Sequence, residues 1–386
     1  MLTQIINGRI FTPQGWLNGG SVIIKDGKII EVNNCDLALV DAKLIDAKGM
    51  YIVPGFICMH AHGGGGHDFT ECTEEAFRSA IKSHLCHGAT TNFPTLSSTS
   101  FENLHKAAAI CEKLMAEPNS PVMGLHIEGP YLNKKMAGSQ YEEYIKEIDE
   151  AEYKNLVEST DCIRRWDAAP ELPGALEFAS YLRDKGILVA VSHTEAEYDE
   201  IKKAYEAGFT HAAHFYNAMP GFHKRREYKY EGTVESVYLT DGMSIELIAD
   251  GAHLPGTILR LAYKLKGVDQ TCLVTDALSF AGTGITESKD PRYIIENGVC
   301  KLADHSALAG SIATNDALVR NMVKAGVPLT DALRMASETP ANIMGVSDRK
   351  GSLEKGKDAD IVILDDDLQI RAVWQMGNLV EETNTL

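Results

Sequence analysis

The stretch 55-GFICMHAHGGGG-66 decides the fold interpretation, because it joins a short apolar run to an H-x-H pair and a glycine-rich turn. An apolar run of this length between turn residues is typical of a buried strand. His60 and His62 lie two residues apart, so on a strand both side chains point to the same face, about 7 Å apart at the backbone. The stretch therefore predicts a buried strand that delivers two imidazoles to one place. The glycines that follow, which have no Cβ, are expected to let the loop lie close to whatever the imidazoles bind.

Similar apolar runs recur along the middle of the chain. They are GATTNFPT, PVMGLHIEG, RRWDAAPE, GILVAVSH, THAAHFYN, IELIADGAH and TCLVTDA, of which the third is the least apolar. Amphipathic stretches such as 74-EEAFRSAIKSHLCHG-88, 174-GALEFASYLRDKG-186 and 313-ATNDALVRNMVKAG-326 separate or follow them. Eight apolar strands alternating with helices predict an α/β fold, a (β/α)₈ TIM-like barrel. A doubly wound open sheet is the structural alternative, although no G-x-G-x-x-G follows an early strand.

The two ends of the chain have a different pattern. Residues 1–53 and 350–386 read as short β segments with turn residues between them, including an Asp26-Gly27 hairpin signal. Neither segment is large enough for a β domain alone. We therefore predict that they pair into one small β-sandwich domain, and that residues 54–349 form the barrel domain.

Composition restricts the partners and the compartment. The net charge of −17 argues against nucleic acid or an anionic membrane surface as a partner. The N-terminus shows no secretory pattern, and no apolar run reaches the roughly 20 residues of a membrane span. Eight cysteines without a C-x-x-C pair favour reduced thiols, and hence a cytoplasmic protein. Any metal would therefore be held by histidines and carboxylates.

Residues suited to metal chemistry recur where the predicted strands end. They are His60, His62, Glu128, His193, His214, His253 and Asp276. Taken singly, each has an ordinary alternative, such as a satisfied core histidine, a solvated turn carboxylate or a helix N-cap. In a barrel, however, all these strand ends share one face, and the joint pattern predicts a metal site there.

The ligand types also indicate the chemistry. Nitrogen and oxygen ligands without thiolate favour zinc or ferrous iron over calcium or magnesium. An ion with an open position lowers the pKa of its bound water towards about 7. A carboxylate such as that of Asp276 can then take the proton of the water and pass it to a leaving group. The predicted reaction is hydrolysis at a carbon centre, with an amide as the first choice of substrate.

The motifs together resemble a known family. VPGFICMHAHGGGG, GLHIEGPYLN, VSHTEA, HAAHFYNAMPGFHKRRE, ADGAHLPG, LVTDA and LAGSIATNDALVRN resemble the amidohydrolase superfamily and, within it, the N-acetylglucosamine-6-phosphate deacetylases. The resemblance runs from NGRIFTP near the start to GSLEKGKDADIVILD near the end. H-x-H is shared across the superfamily, whereas HIEGP, HFYNAM and ADGAH in this order are more specific.

The resemblance implies a role for each matched residue. Glu128, His193 and His214 match the metal ligands, and His60 with His62 match a pair that holds a second ion in some members. It thus implies one or two divalent ions, zinc or iron, and Asp276 matches the catalytic acid/base. Residues that match substrate contacts are Ser139, Asn217, Ala218, Arg225, His253, Leu308, Ala309 and Gly310. Arg225 matches an arginine that reaches the phosphate in the neighbouring subunit, which implies a homodimer.

The basic cluster 223-HKRR-226 agrees with a phosphate in the substrate, because a guanidinium suits a phosphate dianion. A solvated surface patch is the alternative for any such run of charges.

The sequence departs from the family pattern at three places. Cys58 stands where many relatives have an aspartate before the H-x-H pair. Gln140 stands where relatives have a histidine that polarises the amide carbonyl, and its N–H can still donate to the substrate. The run Arg225-Arg226-Glu227-Tyr228-Lys229 replaces the usual Arg-Glu-Pro-Gly, so either arginine could take the phosphate role.

These observations predict removal of the acetyl group from N-acetylglucosamine 6-phosphate, a small phosphorylated amino sugar. The galacto epimer, or another N-acyl substrate, is the alternative within enzymes. The cyclic-amide hydrolases are disfavoured because they generally need a lysine at the end of the fourth strand, and RRWDAAPE has none. The non-enzymatic alternative is an inactive structural barrel, which would have no need of a complete ligand set.

Overall fold

The structure is a computed structural model that describes residues 2–35, 39–288 and 290–382, without the side chain of Glu382. Its first five strands are β1 (Leu2–Thr12), β2 (Gly15–Lys25), β3 (Lys28–Asn33), β4 (Lys43–Asp46) and β5 (Tyr51–Pro54). The predicted hairpin turn joins β2 to β3, and Asp26 and Gly27 have φ values of 50° and 80°. Both angles lie in the left-handed region that an Asp-Gly hairpin turn requires.

The first half of the following α/β region alternates strands with helices. Its elements are β6 (Phe56–Cys58), β7 (Gly63–Gly64), β8 (His67–Asp68), α1 (Glu74–Cys86), β9 (Ala89–Asn92), β10 (Thr95–Leu96), α2 (Phe101–Met115), β11 (Leu125–Glu128), α3 (Glu150–Ser159), β12 (Ile163–Ala168), α4 (Ala175–Asp184) and β13 (Leu188–Val191). Short 3₁₀ helices span Phe69–Glu71 and Lys134–Met136.

The second half continues the alternation and adds two hairpins. Its elements are α5 (Tyr198–Ala207), β14 (Phe209–Ala212), β15 (His223–Arg225), β16 (Tyr228–Tyr230), α6 (Thr233–Leu239), β17 (Ser244–Ile248), α7 (Gly256–Lys266), β18 (Thr271–Val274), β19 (Tyr293–Glu296), β20 (Val299–Leu302), α8 (Asn315–Lys324), α9 (Leu329–Ala336) and α10 (Glu338–Ile343). A third 3₁₀ helix spans Val268–Gln270. Over the residues described, no helix combines the length and the apolarity that crossing a bilayer requires.

Each of the eight predicted apolar runs contains a strand, including the fourth, where β12 lies. Seven strands form a sheet in the order β10-β11-β12-β13-β14-β17-β18, and β6 pairs in parallel with β9. Parallel bridges join Asn92 to Val122 and Ala61 to Ala277, so the residues that follow β6 contact those that follow β18. The fold is therefore α/β with a curled parallel sheet, which is consistent with the predicted barrel.

The parallel strands are buried on both sides, which explains their continuous apolar character. One core cluster joins strands to helices, and the fully buried Trp166 of β12 lies within it. Its indole ring packs edge-on against Phe178 of α4 with centroids 5.4 Å apart, and its Nε1–H donates to the Gly129 carbonyl at 2.7 Å. The polar atom of this large aromatic side chain is thus satisfied inside the core.

The strands from the two ends of the chain pair with one another. The last three strands, β21 (Ile361–Leu364), β22 (Ile370–Gln375) and β23 (Asn378–Glu382), join β1–β5 in one eight-stranded sheet. The junction is the antiparallel pair β5–β21, in which Ile52 lies opposite Ile363. A separate core cluster draws on both ends, with Ile5, Ile24 and Trp374 among its members. Residues 1, 36–38 and 383–386 of the predicted small domain, and residue 289 of the predicted barrel domain, lie outside the described residues.

Candidate active site

The predicted ligands lie at the carboxyl ends of the parallel strands. Glu128 is the last residue of β11, whereas His60, His193, His214 and Asp276 each follow a strand by two residues. Because the strands are parallel, these ends meet at one edge of the sheet. The structure accordingly brings the predicted metal ligands and the predicted acid/base together, with all six side chains buried or nearly so.

Three of the ligands form one compact group. Glu128 Oε1 lies 3.2 Å from His193 Nε2 and 2.9 Å from His214 Nε2, and the two imidazole nitrogens are 3.2 Å apart. The ligand atoms of these three residues all lie within 4.8 Å of one another. One carboxylate oxygen and two imidazole nitrogens at this separation can converge on a single ion.

A second group lies beside the first. His62 Nε2 is 3.0 Å from Asp276 Oδ1, and His60 Nε2 is 3.5 Å from the same oxygen. Glu128 connects the two groups, because its Oε2 lies 3.2 Å from His62 Nε2 while its Oε1 faces His193 and His214. Oε1 also lies 3.8 Å from His60 Nε2, so the Glu128 carboxylate contacts residues of both groups, an arrangement that suits a bridging ligand.

Hydrogen bonds at the far side of the rings fix which nitrogen is available. His193 Nδ1–H donates to the Met136 carbonyl at 2.6 Å, and His214 Nδ1–H donates to the Asn217 carbonyl at 3.1 Å. A carbonyl oxygen can only accept, so in the neutral ring the proton is on Nδ1 and the Nε2 lone pair is available to an ion. His60 Nδ1 faces Glu246 Oε1 at 2.5 Å, and its Nε2 is buried without a hydrogen-bond partner. These residues fit a divalent ion, because such an ion would give the unpartnered His60 Nε2 a ligand bond.

The charges of the two groups depend strongly on one another, because the Glu128 carboxylate lies among four imidazoles. Burial by itself would raise the pKa of the Glu128 carboxyl, but hydrogen bonds from the surrounding imidazoles hold that pKa well below its usual range. The pKa of His62 is raised to about 10, since its bonds to Asp276 and Glu128 outweigh the effect of burial. The pKa of Asp276 is lowered for the reciprocal reason, against the opposing effect of burial. Positive charge is therefore stabilised at the position where a cation would bind.

A cavity of about 580 Å³ opens directly above these residues. Its lining includes seven of the predicted substrate contacts: Ser139, Gln140, Asn217, Ala218, His253, Leu308 and Gly310. Ala309 is 0% exposed, and it packs beneath this surface against Leu278 and Cys300. The His253 ring is oriented by Asp250, whose carboxylate lies 2.8 Å from Nδ1.

Arg225 lies outside the lining of this cavity. It belongs to the β15–β16 hairpin, where it pairs with Glu197 and lies 4.9 Å from the centroid of the Tyr230 ring. Its side chain is 55% exposed, and Phe222 and Tyr228 of the same hairpin region are more than half exposed. The hairpin region therefore presents a cation and two aromatic rings to the outside of the chain.

The sequence model of the amidohydrolase family matches residues 51–380, which is most of the chain. The chain belongs to this family. The chain is 31% identical over 370 residues to the N-acetylglucosamine-6-phosphate deacetylase of Lysinibacillus sphaericus, covering 94% of each chain. It is also 31% identical over 393 residues to the N-acetylgalactosamine-6-phosphate deacetylase of Escherichia coli O157:H7, covering 98% of this chain and 99% of the relative.

A solved structure also matches this amidohydrolase along nearly its full length. It is a variant of the N-acetyl-D-glucosamine-6-phosphate deacetylase of Mycobacterium smegmatis in complex with N-acetyl-D-glucosamine-6-phosphate. The two chains superpose with a TM-score of 0.90 at 28% identity, covering 98% of this chain and 99% of the other.

The amidohydrolase contains a buried ionic network that the sequence patterns did not reveal. Glu246 of β17 accepts from the His214 backbone N–H at 2.8 Å as well as facing His60. Arg165 of β12 neutralises it, at 2.6 Å from Glu246 Oε2, and also holds Asp167 through two bonds of 2.7 Å. The network orients two predicted ligands from below.

Asp167 extends the network towards a further histidine. His126 Nε2 lies 3.0 Å from Asp167 Oδ2, and its ring stands edge-on to that of His60 with centroids 4.7 Å apart. Burial, followed by the charge of Arg165, lowers the pKa of His126 to about 3, so this imidazole is neutral. The signal for the network lies in the i, i+2 pairs Arg165/Asp167 and Ser244/Glu246, which place polar groups on one face of otherwise apolar strands.

Backbone strain marks the same region of the amidohydrolase. His193, His214 and Asp276 have φ values of 45°, 28° and 48°, and Ala218 has 51°. Residues with a Cβ rarely adopt these angles, and such strain concentrates at functional sites. The backbone is thus held in costly conformations at two predicted metal ligands, at the predicted acid/base and in the cavity wall.

The glycine-rich loop of the amidohydrolase packs against protein rather than against the predicted ligands. Gly63 N–H and Gly65 N–H donate to the carbonyls of Ala277 and Ala281, both at 2.9 Å. A Cβ on Gly63 would lie 2.3 Å from the His67 carbonyl oxygen, and one on Gly65 would lie 3.0 Å from the Ser79 carbonyl oxygen. The close approach that the glycines permit is therefore to β8, to α1 and to the segment 277–281.

Proposed function

We propose that this amidohydrolase removes the acetyl group from N-acetylglucosamine 6-phosphate and gives glucosamine 6-phosphate and acetate. The observation that carries the proposal is the convergence of imidazole Nε2 atoms on the Glu128 and Asp276 carboxylates beneath the cavity. Similarity over nearly the whole chain to deacetylases of 6-phosphorylated amino sugars supports the choice of substrate.

The ion is zinc or ferrous iron, held by Glu128, His193 and His214, with His60 and His62 available for a second ion. When bound, such an ion supplies a Lewis acid and water of lowered pKa. The histidines would hold it through their Nε2 atoms, which the bonds at Nδ1 leave free, and Glu128 would hold it through its carboxylate.

Asp276 acts as the acid/base. Its carboxylate accepts a proton from the water that attacks the acetamide carbon, and delivers that proton to the sugar nitrogen as the C–N bond breaks. The placement supports this role, since Asp276 is nearly buried, lines the cavity and lies 3.0 Å from His62 Nε2.

The cavity wall binds the sugar phosphate. Asn217, Ala218 and His253 contact it on one side, and the remaining predicted contacts, Ser139, Gln140, Leu308, Ala309 and Gly310, line or support the sugar pocket. Arg225 reaches the phosphate in the neighbouring subunit of a homodimer. Its exposed position outside its own cavity supports this assignment.

We further infer the predicted domain division, with a closed (β/α)₈ barrel over residues 54–349 and a small β-sandwich from residues 1–53 and 350–386. The Ala61–Ala277 bridge supports closure of the barrel. The separate core cluster of the mixed sheet supports the second domain.

Removal of acetyl from N-acetylgalactosamine 6-phosphate is the second candidate. It is favoured by a relative of that name at the same 31% identity over the whole chain. The two epimers differ only at the C4 hydroxyl, so they place the same acetamide and phosphate in the cavity.

The test is release of acetate by the metal-loaded protein from both phosphorylated epimers, from unphosphorylated N-acetylglucosamine and from an N-acetyl amino acid. We expect turnover of a phosphorylated epimer and a value of kcat/KM at least about 100-fold lower without the phosphate. Asp276→Asn should lower kcat by roughly 10²–10⁴-fold. Absence of turnover with both phosphorylated epimers would exclude the proposed function.

A further inference from the structure

We infer that Gln140 is a positioning residue that holds Glu128 between the two ligand groups, rather than a group that polarises the substrate carbonyl. The inference rests on the metal site of the proposed function. It assigns this residue a task at the predicted metal site that does not depend on the substrate.

The side-chain amide of Gln140 is engaged at both ends. Its Nε2–H donates to Glu128 Oε2 at 2.6 Å, and its Oε1 accepts from the Ser98 backbone N–H at 2.7 Å. A backbone N–H can only donate, so the oxygen must face Ser98 and the NH₂ group must face Glu128. The amide therefore has one orientation, with its NH₂ group turned towards Glu128.

The bond falls on a particular oxygen of Glu128. Oε1 faces His193 and His214, whereas Oε2 faces His62 and receives the Gln140 bond. Since a carboxylate oxygen has two lone pairs, Oε2 can accept from Gln140 and still bind an ion. Without this bond the carboxylate is free to turn both oxygens towards one group. Gln140 thus keeps Oε2 turned towards His62, while Oε1 stays beside His193 and His214 and lies 3.8 Å from His60 Nε2.

The protein holds Gln140 itself firmly. The residue is 8% exposed, and its backbone N–H donates to the Ala137 carbonyl at 3.0 Å. Its neighbour Tyr141 is fixed by Arg292, which donates to the phenol oxygen at 2.5 Å and lies 3.7 Å from the ring centroid. A ligand held by a fixed partner is preorganised before the ion arrives.

The amide is also neutral, so it adds no charge to the site. One of its two N–H groups is used on Glu128, and it cannot become the cation that a histidine can. Its effect should therefore appear in metal binding, in the absence of any substrate.

The test measures metal affinity in the full-length protein without substrate. Gln140→Met removes the donor with little change in side-chain length, and Gln140→Ala serves as a second variant if the first lowers the melting temperature. Gln369→Met is the matched control on an exposed loop far along the chain. Zinc stoichiometry is measured by elemental analysis, and the dissociation constant of each ion by competition with a chromophoric chelator.

We expect Gln140→Met to lower the affinity for the second ion about 10–100-fold, as is typical for loss of a partner that orients a ligand. The affinity for the first ion should stay within a few-fold of wild type. Unchanged affinity for both ions together with a raised KM would overturn the inference and make Gln140 a substrate contact. A wild-type protein that binds only one ion would also overturn it. These readouts use no sugar, so they stand apart from failure of the proposed reaction.

Discussion

Cys58 precedes His60 and His62, two of the predicted metal ligands, but it lies outside the lining of the cavity. Its side chain is buried in a cluster of alanines formed by Ala61, Ala89, Ala277 and Ala281. Burial raises the pKa of the Cys58 thiol to about 12, so it is protonated at neutral pH. A protonated thiol among methyl groups behaves as a small apolar residue, neither a ligand nor a nucleophile.

We therefore expect Cys58 to resist modification in the native protein. At pH 8 only about 10⁻⁴ of this thiol is thiolate, and it is shielded from solvent. Iodoacetamide labelling followed by peptide mass spectrometry should modify the exposed Cys35 first and Cys58 only after unfolding in urea. Labelling of native Cys58 at a rate similar to that of Cys35 would contradict this placement.

At the residue scale, the sequence predicted the side chains that follow strands better than those within them. His193 and Asp276 could be found because strand ends in a barrel share one face. Glu246 and Arg165 could not be found in this way, because a charged residue inside an apolar run argues against a buried strand rather than for a functional residue. Their charges are tolerated because they pair with one another in the interior.

Among the elements, α1 supports the glycine-rich loop through His84. The buried imidazole lies with Nε2 2.9 Å from the Gly63 carbonyl, to which it donates. Burial lowers the pKa of His84 from 6.5 to about 4. The unfolded chain therefore binds a proton between these pH values that the folded chain does not, and the stability due to this group is lost as the pH falls from 6.5 to 4.

Replacing His84 should make the fold less sensitive to acid. Gln can donate to the same carbonyl but does not titrate. Between pH 7 and pH 4.5 the unfolding free energy of wild type should therefore fall by roughly 2–3 kcal/mol more than that of His84→Gln. Urea unfolding of the two proteins at both pH values measures the difference. Parallel curves for wild type and variant would show that His84 is not buried in its neutral form.

The β19–β20 hairpin closes one wall of the cavity through Arg292. The guanidinium bonds to Asp290 at 2.8 Å and lies near the rings of both Tyr141 and Tyr293, at 3.7 Å and 4.7 Å from their centroids. These residues also line the cavity. Arg292 thus connects the segment after β18 to the loop after β11.

Removing this connection should loosen the wall without affecting the chemistry. We expect Arg292→Ala to raise KM by about 3–10-fold with kcat within twofold, since cation–π contacts contribute about 0.5–2 kcal/mol each. Hydrogen exchange should speed up across residues 293–302. The control is Arg183→Ala on the surface of α4. A fall in kcat at unchanged KM would place Arg292 in the reaction itself.

The same hairpin shows what periodicity misses. The long segment between β18 and α8 has no helical or alternating pattern, and the strand pattern did not extend into it. A local signal is nevertheless present, because Asn297-Gly298 is a strong hairpin turn and adopts φ values of 52° and 73°. Such a signal locates a hairpin but not the cavity wall to which it contributes, which depends on long-range packing.

For the whole molecule, the proposed homodimer can be tested by complementation between subunits. An Arg225→Ala subunit lacks the reaching arginine, and an Asp276→Asn subunit lacks the acid/base. In a mixed dimer the Arg225→Ala subunit keeps Asp276 and receives Arg225 from the Asp276→Asn subunit. One of the two sites is therefore complete.

Equal mixing of the two variants, unfolded and refolded together, should therefore recover about one quarter of wild-type activity. Each variant refolded alone is the control and should stay inactive. Activity of the mixture no greater than the mean of the two controls would show that Arg225 does not act across a subunit boundary.

The pairing of β5 with β21 also has a consequence for synthesis on the ribosome. Ile52 must wait for Ile363, roughly 300 residues later, before this part of the mixed sheet can form. At about 5–20 residues per second, that delay lasts tens of seconds. During that time one edge of β5 remains open while the parallel strands emerge and fold. The mixed sheet is thus begun early but completed late in translation, when the last strands of the chain join the first.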